Sequence, residues 1–140
     1  MRPIKFRAWI PKNKKMFYGR DIDLFHSKEG ISGRVKPIVS ADYDCNVQIM
    51  QFTGLKDKNG VEIYEGDIIT YYDHILKRNF GLVDYCNITF SYVIRIKAII
   101  SEFDIPLSIL SNNVDHDYNY SIIGNIYENP ELTINFMRQS

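Results

Sequence analysis

The residues best able to do chemistry in this sequence are three histidines (His26, His74 and His116), two cysteines (Cys45 and Cys86) and a few closely spaced carboxylates. Asp115-His116-Asp117 sets ligand-type side chains side by side, but neighbours in an extended loop point to opposite sides and would not converge on one ion. A solvated loop is expected there. Asp42 with Asp44, and Glu65 with Asp67, have the i, i+2 spacing that places two carboxylates on one strand face, as acid–base catalysis would require. With no partner base in view, they read as turn acids. Cys45 and Cys86 lack a CxxC context and a histidine at ligand spacing, so they read as ordinary strand or core thiols; spacing leaves a disulfide between them open. Gly54, Gly60, Gly66 and Gly124 suit turns, bulges or close approaches, since none opens a helix after a strand as a phosphate-binding loop does. GxSxG and HExxH motifs are missing from the sequence. The expectation is therefore no catalytic residue, no metal, no cofactor and no enzymatic activity.

Binding is the remaining chemistry, and charge directs attention to the ends of the chain. The 140 residues carry 17 Lys and Arg against 17 Asp and Glu, which disfavours bulk polyanion binding. The charges are not evenly spread. Arg2, Lys5, Arg7, Lys12, Lys14, Lys15 and Arg20 are unopposed by any acid up to position 20, whereas every charge between Ala98 and Met137 is negative. Such polarity could form a local phosphate-binding patch, or let the two ends attract one another within one chain or between subunits. Lys5, Arg7, Trp9, Lys12, Lys14, Lys15 and Tyr18 are the candidate nucleic-acid or partner surface. Their lysines and arginine would contact phosphates and their aromatic rings could stack on bases.

The elements that must position these residues are β-strands almost throughout. Ile4, Phe6, Ala8 and Ile10 alternate with Lys5, Arg7 and Trp9, which predicts a strand with one face on a core and one in water. Residues 11–14 read as a turn and 15–19 as the return strand, giving a hairpin with its basic residues outward. A short strand is expected at 21–25. Residues 26–33 are too rich in glycine and serine for a regular element, and strands follow at 35–39 and 47–52 around a polar connection at 40–46. Asp57-Lys58-Asn59-Gly60 predicts a hairpin loop, and the longer loop is favoured because a two-residue Asn59-Gly60 turn would set Asp57 opposite Glu62. Glu65-Gly66-Asp67 is a second turn leading into a strand at 68–72, with more strands at 81–85, 88–100 and 120–127. Asn129-Pro130-Glu131 supplies an N-cap, a proline at the first helical position and an acid in the first turn, so a short helix is expected from Pro130 to about Arg138, burying Leu132 and Phe136.

Short strands at this spacing predict a mainly β fold of small barrel or sandwich lobes with SH3-like character and a short C-terminal helix. An N-terminal lobe would span 1–46 and a barrel-like C-terminal lobe 47–140, unless both form one continuous domain. Glu65-Gly66-Asp67-Ile68 in particular is similar to the strand entry of SH3-like barrels, where a buried or turn-capping acid precedes an apolar strand. No apolar run reaches the roughly 18 residues of a membrane span and no export signal is visible, so a cytoplasmic protein without a membrane partner is expected.

Three blocks of sequence go further. Phe6-Arg7-Ala8-Trp9, Met50-Gln51-Phe52-Thr53-Gly54-Leu55-Lys56-Asp57-Lys58-Asn59-Gly60 with Ile63-Tyr64-Glu65-Gly66-Asp67-Ile68, and Ile122-Ile123-Gly124-Asn125-Ile126-Tyr127-Glu128-Asn129-Pro130-Glu131-Leu132 resemble the YopX family of phage and prophage proteins, in the family's order and across nearly the whole chain. The resemblance implies a mainly β accessory protein acting in a bacterial cytoplasm. It implies no catalytic or binding residue. One departure is visible: typical members carry an acid directly after the FRAW block, whereas Ile10 and Pro11 follow Trp9 here, which makes this turn more basic. The functional expectation is a protein-interaction module that self-associates as a homo-oligomer or binds a host or phage protein, through an exposed strand edge or an aromatic surface of Trp9, Tyr18, Tyr71, Tyr72 and Tyr85. The alternative is nucleic-acid binding through the basic N-terminal hairpin.

Overall fold

β-Branched and aromatic residues build strands through most of the residues described by the computed structural model, which are 3–28, 30–35, 47–73, 77–97, 102–110 and 120–133. The chain divides into two units, Met1–Phe52 and Thr53–Ser140, with the division inside one strand. The 40–46 connection, Cys45, Asp42, Asp44, His74 and the Asp115-His116-Asp117 cluster lie outside the described residues.

In the first unit, β1 (Phe6–Ile10) pairs antiparallel with β2 (Lys15–Tyr18), and on its other side with the beginning of β5 (Gln48–Lys56). β3 (Ile22–Ser27) and β4 (Gly30–Val35) form a separate hairpin. Two expectations are corrected here. The first concerns the solvated face of β1. Arg7 and Trp9, placed outward by the alternation, are only 4% and 8% exposed, Ala8 is fully buried, and Ile4 is the exposed residue. β1 is an interior strand, flanked on both edges, and its Arg7 face is packed as well. Arg7 donates from Nε to the sulfur of Met50 at 3.3 Å, directly across in register, so its stem and head are both used inside the unit. The second concerns 26–33, which was expected to be irregular. Ladder pairing needs only backbone groups, and the Gly30 and Gly33 positions lie within β4, opposite Ser27 and Leu24.

In the second unit, the later part of β5 lies beside β6 (Glu62–Tyr64). A five-stranded antiparallel sheet follows, in the order β10-β9-β8-β7-β11. Its strands are β7 (Asp67–Asp73), β8 (Lys77–Cys86), β9 (Ser91–Lys97), β10 (Glu102–Pro106) and β11 (Ser121–Asn125). Ile63, Ile69, Val83, Tyr92, Ile94, Ile96, Leu107 and Tyr120 form the core, each aliphatic side chain contributing about 1.5–3 kcal/mol by leaving water. Gly81 is required by this packing. A Cβ there would run into the Cγ2 of Ile94. On the other face Arg95 bonds Asp84 at 2.8 Å and Asp104 at 3.1 Å across three neighbouring strands.

The fold is mainly β with a short C-terminal helix, as the periodicity implied. The helix starts at Pro130, and its described part is residues 130–133. The strand expected at 88–100 is corrected: β8 ends at Cys86, residues 87–90 turn, and β9 begins at Ser91, opposite Cys86. Ile88 and Phe90 carry strong strand propensity, but the pairing of Tyr85 with Tyr92 on two adjoining strands overrides it.

Candidate functional site

The polar residues of the recognisable blocks are turned toward the backbone. Asp57 begins the loop between β5 and β6, which is the longer loop favoured from sequence. Its Oδ1 accepts the N–H groups of Asn59 and Val61 at 2.8 and 2.9 Å, and Gly60, at φ +80°, donates to the Asp57 carbonyl at 2.9 Å. The remaining carboxylate oxygen, Oδ2, accepts the N–H of Ile122 on β11 at 3.1 Å. Lys58 donates its backbone N–H to the carbonyl of Tyr120 at 3.3 Å. Asp67 is 1% exposed and accepts the Tyr64 N–H at 2.8 Å, the turn-capping acid before a strand that its sequence context suggested. These carboxylates satisfy backbone donors, buried at Tyr64 and partly buried at Asn59, Val61 and Ile122.

The third block does the same work. Asn125 is buried and accepts the N–H groups of Tyr127 and Glu128 on Oδ1 at 3.0 and 2.8 Å, while its Nδ2 donates to Glu128 at 2.7 Å. Asn129 turns its Oδ1 back to the Asn125 N–H at 3.3 Å. Gly124 makes this reach possible, because a Cβ there would collide with the Asn129 side chain. Together Asp57 and Asn129 close the outer edge of β11. Tyr120 and Ile122 face away from β7 before the bulge at Ile123, and Asn125 faces away after it, since one extra residue shifts the parity. An open strand edge would otherwise invite pairing with another chain.

Exposed apolar side chains are gathered elsewhere in the second unit. The β8–β9 turn holds Ile88 at 89% and Phe90 at 78% exposure. Phe90 adopts φ +52°, a left-handed conformation that costs a side-chain-bearing residue roughly 1–2 kcal/mol. From Tyr85 to Ile94 there is no formal charge. Tyr85 and Tyr92 face one another edge to face at 5.3 Å below the turn, and the turn's hydroxyls, Thr89 and Ser91, bond each other at 2.9 Å. The Thr89 hydroxyl, then the Thr89 and Ile88 amides, hold the Cys86 thiol below its usual range. Cys86 itself is a buried free cysteine.

The sequence-derived surface is only partly assembled. Lys5, Lys12, Lys14, Lys15 and Tyr18 are exposed around the β1–β2 hairpin, with the Lys15 ammonium 5.2 Å from the centre of the Phe17 ring. Arg7 and Trp9 are buried and leave this surface, so no tryptophan stacks there. Of the expected aromatic surface, Tyr18 and Tyr85 are exposed; the side chains of Tyr71 and Tyr72 lie outside the described ones. Sequence reading passed over Ile88 and Phe90 because both look like strand residues. A signal was present in the ten-residue uncharged stretch from Tyr85 to Ile94. Among the described residues no three His, Cys, Asp or Glu side chains could hold a metal ion, and no helix is long and apolar enough to cross a membrane.

Fold and site define a small β protein of two units, in which the motif polar groups close turns and a sheet edge while apolar side chains face outward. The YopX protein model matches residues 5–133, and the chain belongs to the YopX family. Among solved structures it is similar to protein EF1440 from Enterococcus faecalis, at 29% identity and a TM-score of 0.57, covering 94% of this chain and 99% of that one. It is also similar in fold to protein yopX from Bacillus subtilis, at 17% identity and a TM-score of 0.58, covering 94% and 98%. No curated protein matches.

Proposed function

We propose that this protein is a non-enzymatic protein-interaction module that self-associates, an accessory protein of a phage or prophage acting in the bacterial cytoplasm. The observation that carries the reading is the β8–β9 turn, where Ile88 and Phe90 stand in water and Phe90 is held at positive φ. Exposing two large apolar side chains does not help a free monomer fold, whereas the positive φ of Phe90 is shared by Lys14 at the last position of the β1–β2 loop and belongs to the turn itself. Large exposed apolar side chains set in uncharged surroundings are the usual anchors of protein contacts. Sedimentation velocity over a dilution series tests this: the wild-type chain forms species larger than a monomer, and Phe90→Ser moves that transition to higher concentration. A wild type that stays monomeric throughout removes the reading.

A second reading is favoured by the exposed Lys5, Lys12, Lys14 and Lys15 of the β1–β2 hairpin. These would bind a nucleic-acid backbone with steep salt dependence. Fluorescence anisotropy at low salt with single- and double-stranded DNA and RNA checks it, and triple alanine replacement at Lys12, Lys14 and Lys15 should weaken any binding. No binding at micromolar protein eliminates it.

A further inference from the structure

We propose that Asn59 is a site of self-modification, at which the chain's own Gly60 nitrogen converts the asparagine to aspartate and isoaspartate, and that the isoaspartyl form opens the β11 edge. Asn59-Gly60 is the single Asn-Gly step in the sequence, and every other asparagine is followed by a residue with a side chain. The difference matters because the reaction brings the following backbone nitrogen onto the asparagine Cγ. Glycine, lacking a Cβ, leaves that approach unhindered. Both residues are exposed in the β5–β6 loop, so water reaches them.

The reaction needs no co-reactant but water. The Gly60 nitrogen gives up its proton and bonds to Cγ of Asn59, while the Cγ–Nδ2 bond breaks and that nitrogen leaves as ammonia, giving a cyclic imide. Water then opens the ring. Cleavage of the new Cγ–N bond yields aspartate on an unchanged main chain. Cleavage between the Asn59 carbonyl carbon and the Gly60 nitrogen yields isoaspartate, whose main chain runs through Cβ and Cγ and is longer by a carbon.

Hydrogen bonds around Asp57 set both the rate and the consequence. In the closed loop the proton that must leave is engaged, because the Gly60 N–H donates to the Asp57 carbonyl at 2.9 Å. The Asp57 carboxylate holds the loop in that form through the N–H groups of Asn59 and Val61. Attack therefore proceeds from an opened loop, and breaking one neutral hydrogen bond slows it by up to about tenfold. The added carbon falls between Asp57 and Val61, which are joined by the Asp57 N–H to the Val61 carbonyl at 2.8 Å and by the Val61 N–H to Asp57 Oδ1 at 2.9 Å. A longer main chain displaces these partners and draws Asp57 Oδ2 away from the Ile122 N–H, which it accepts at 3.1 Å. Aspartate on the ordinary main chain keeps all of these bonds.

The test incubates the full wild-type chain at mildly alkaline pH in native buffer and in urea, with peptide mass spectrometry and electron-transfer fragmentation to separate aspartate from isoaspartate at each asparagine. Asn59 should convert in native buffer ahead of every other asparagine, and up to about tenfold more slowly than in urea. Asp57→Asn, with its fold checked by circular dichroism, should convert faster than the wild type; the urea comparison reads the same control without any substitution. Hydrogen exchange at the Ile122 amide of the purified isoaspartyl chain should be at least about tenfold faster than in the unmodified chain. Asn59→Asp, which adds the same charge on an ordinary main chain, should exchange as the wild type does. Asn59 left intact in native buffer while the urea sample converts, or equal rates in both, overturns the proposed modification and its control by the loop. Ile122 exchange that is unchanged in the isoaspartyl chain, or raised equally by Asn59→Asp, overturns its effect on β11.

Discussion

Replacing Phe90 by asparagine separates what the residue does for the fold from what it does outside it. Phe90 closes the β8–β9 turn at φ +52°, where a phenylalanine pays roughly 1–2 kcal/mol and asparagine considerably less. The ring is 78% exposed, so its removal forfeits little burial. Asparagine also avoids the added unfolded-state freedom of glycine, about 0.5–1 kcal/mol. Phe90→Asn should therefore stabilise the isolated chain by about 0.5–1.5 kcal/mol, which for a chain of this size raises Tm by a few degrees. Glycine should give a smaller gain because part of it is offset by entropy. The assay is urea unfolding at low concentration, where association does not contribute, alongside sedimentation velocity at high concentration. Stability should rise while association falls. If Phe90→Asn destabilises the monomer by 1 kcal/mol or more at unchanged m-value, the ring is part of the fold and the argument from strain is wrong.

Other consequences can be measured directly. Asp57→Ala leaves the N–H groups of Asn59, Val61 and Ile122 without their acceptor and should cost about 3–5 kcal/mol in chemical unfolding; Asp57→Asn, which keeps one acceptor oxygen, should cost roughly half as much. Gly81→Ala forces a methyl group against the Cγ2 of Ile94 and should lower stability by about 1–3 kcal/mol; combined with Ile94→Ala, which removes that Cγ2, it should cost less than the sum of the two single changes. The Cys86 thiol, held down chiefly by the Thr89 hydroxyl, should be alkylated by iodoacetamide with a midpoint below that of a free thiol in a chain whose Cys45 is replaced by serine. Thr89→Val should move that midpoint up. Because the folded thiol's pKa is depressed, the associated stability is present above the unfolded pKa and disappears as pH falls through the folded one, so Thr89→Val should reduce stability at alkaline pH more than at acid pH.

The outline of the fold was legible because alternation and turn chemistry are local. Asp57-Lys58-Asn59-Gly60 closed as the longer loop, since the like-charge pairing of the shorter turn was avoidable, and Asp67 capped the turn before β7. Errors arose where neighbours outweighed local preference. Arg7 and Trp9 look solvent-facing in a lone strand, yet β1 is paired on both edges and packed on both faces. Residues 26–33 look like a loop, yet backbone pairing is indifferent to the glycines of β4. At the candidate surface, the basic charges were visible and their exposure followed for Lys5, Lys12, Lys14 and Lys15. Ile88 and Phe90 were not, because β-propensity treats an apolar residue as a strand residue whether it lies in a sheet or at the point where a sheet reverses.

The closure of β11 also bears on how this sequence can change over time. One carboxylate from a loop distant in sequence and one carboxamide from the turn that follows β11 stand where another strand would otherwise attach. A substitution at Asp57 does more than loosen a turn, because it exposes a hydrogen-bonding edge beside an apolar bulge. An opened edge of this kind is a template for pairing with another chain. Asp57 and Asn129 thus set where the sheet stops as well as how two turns close.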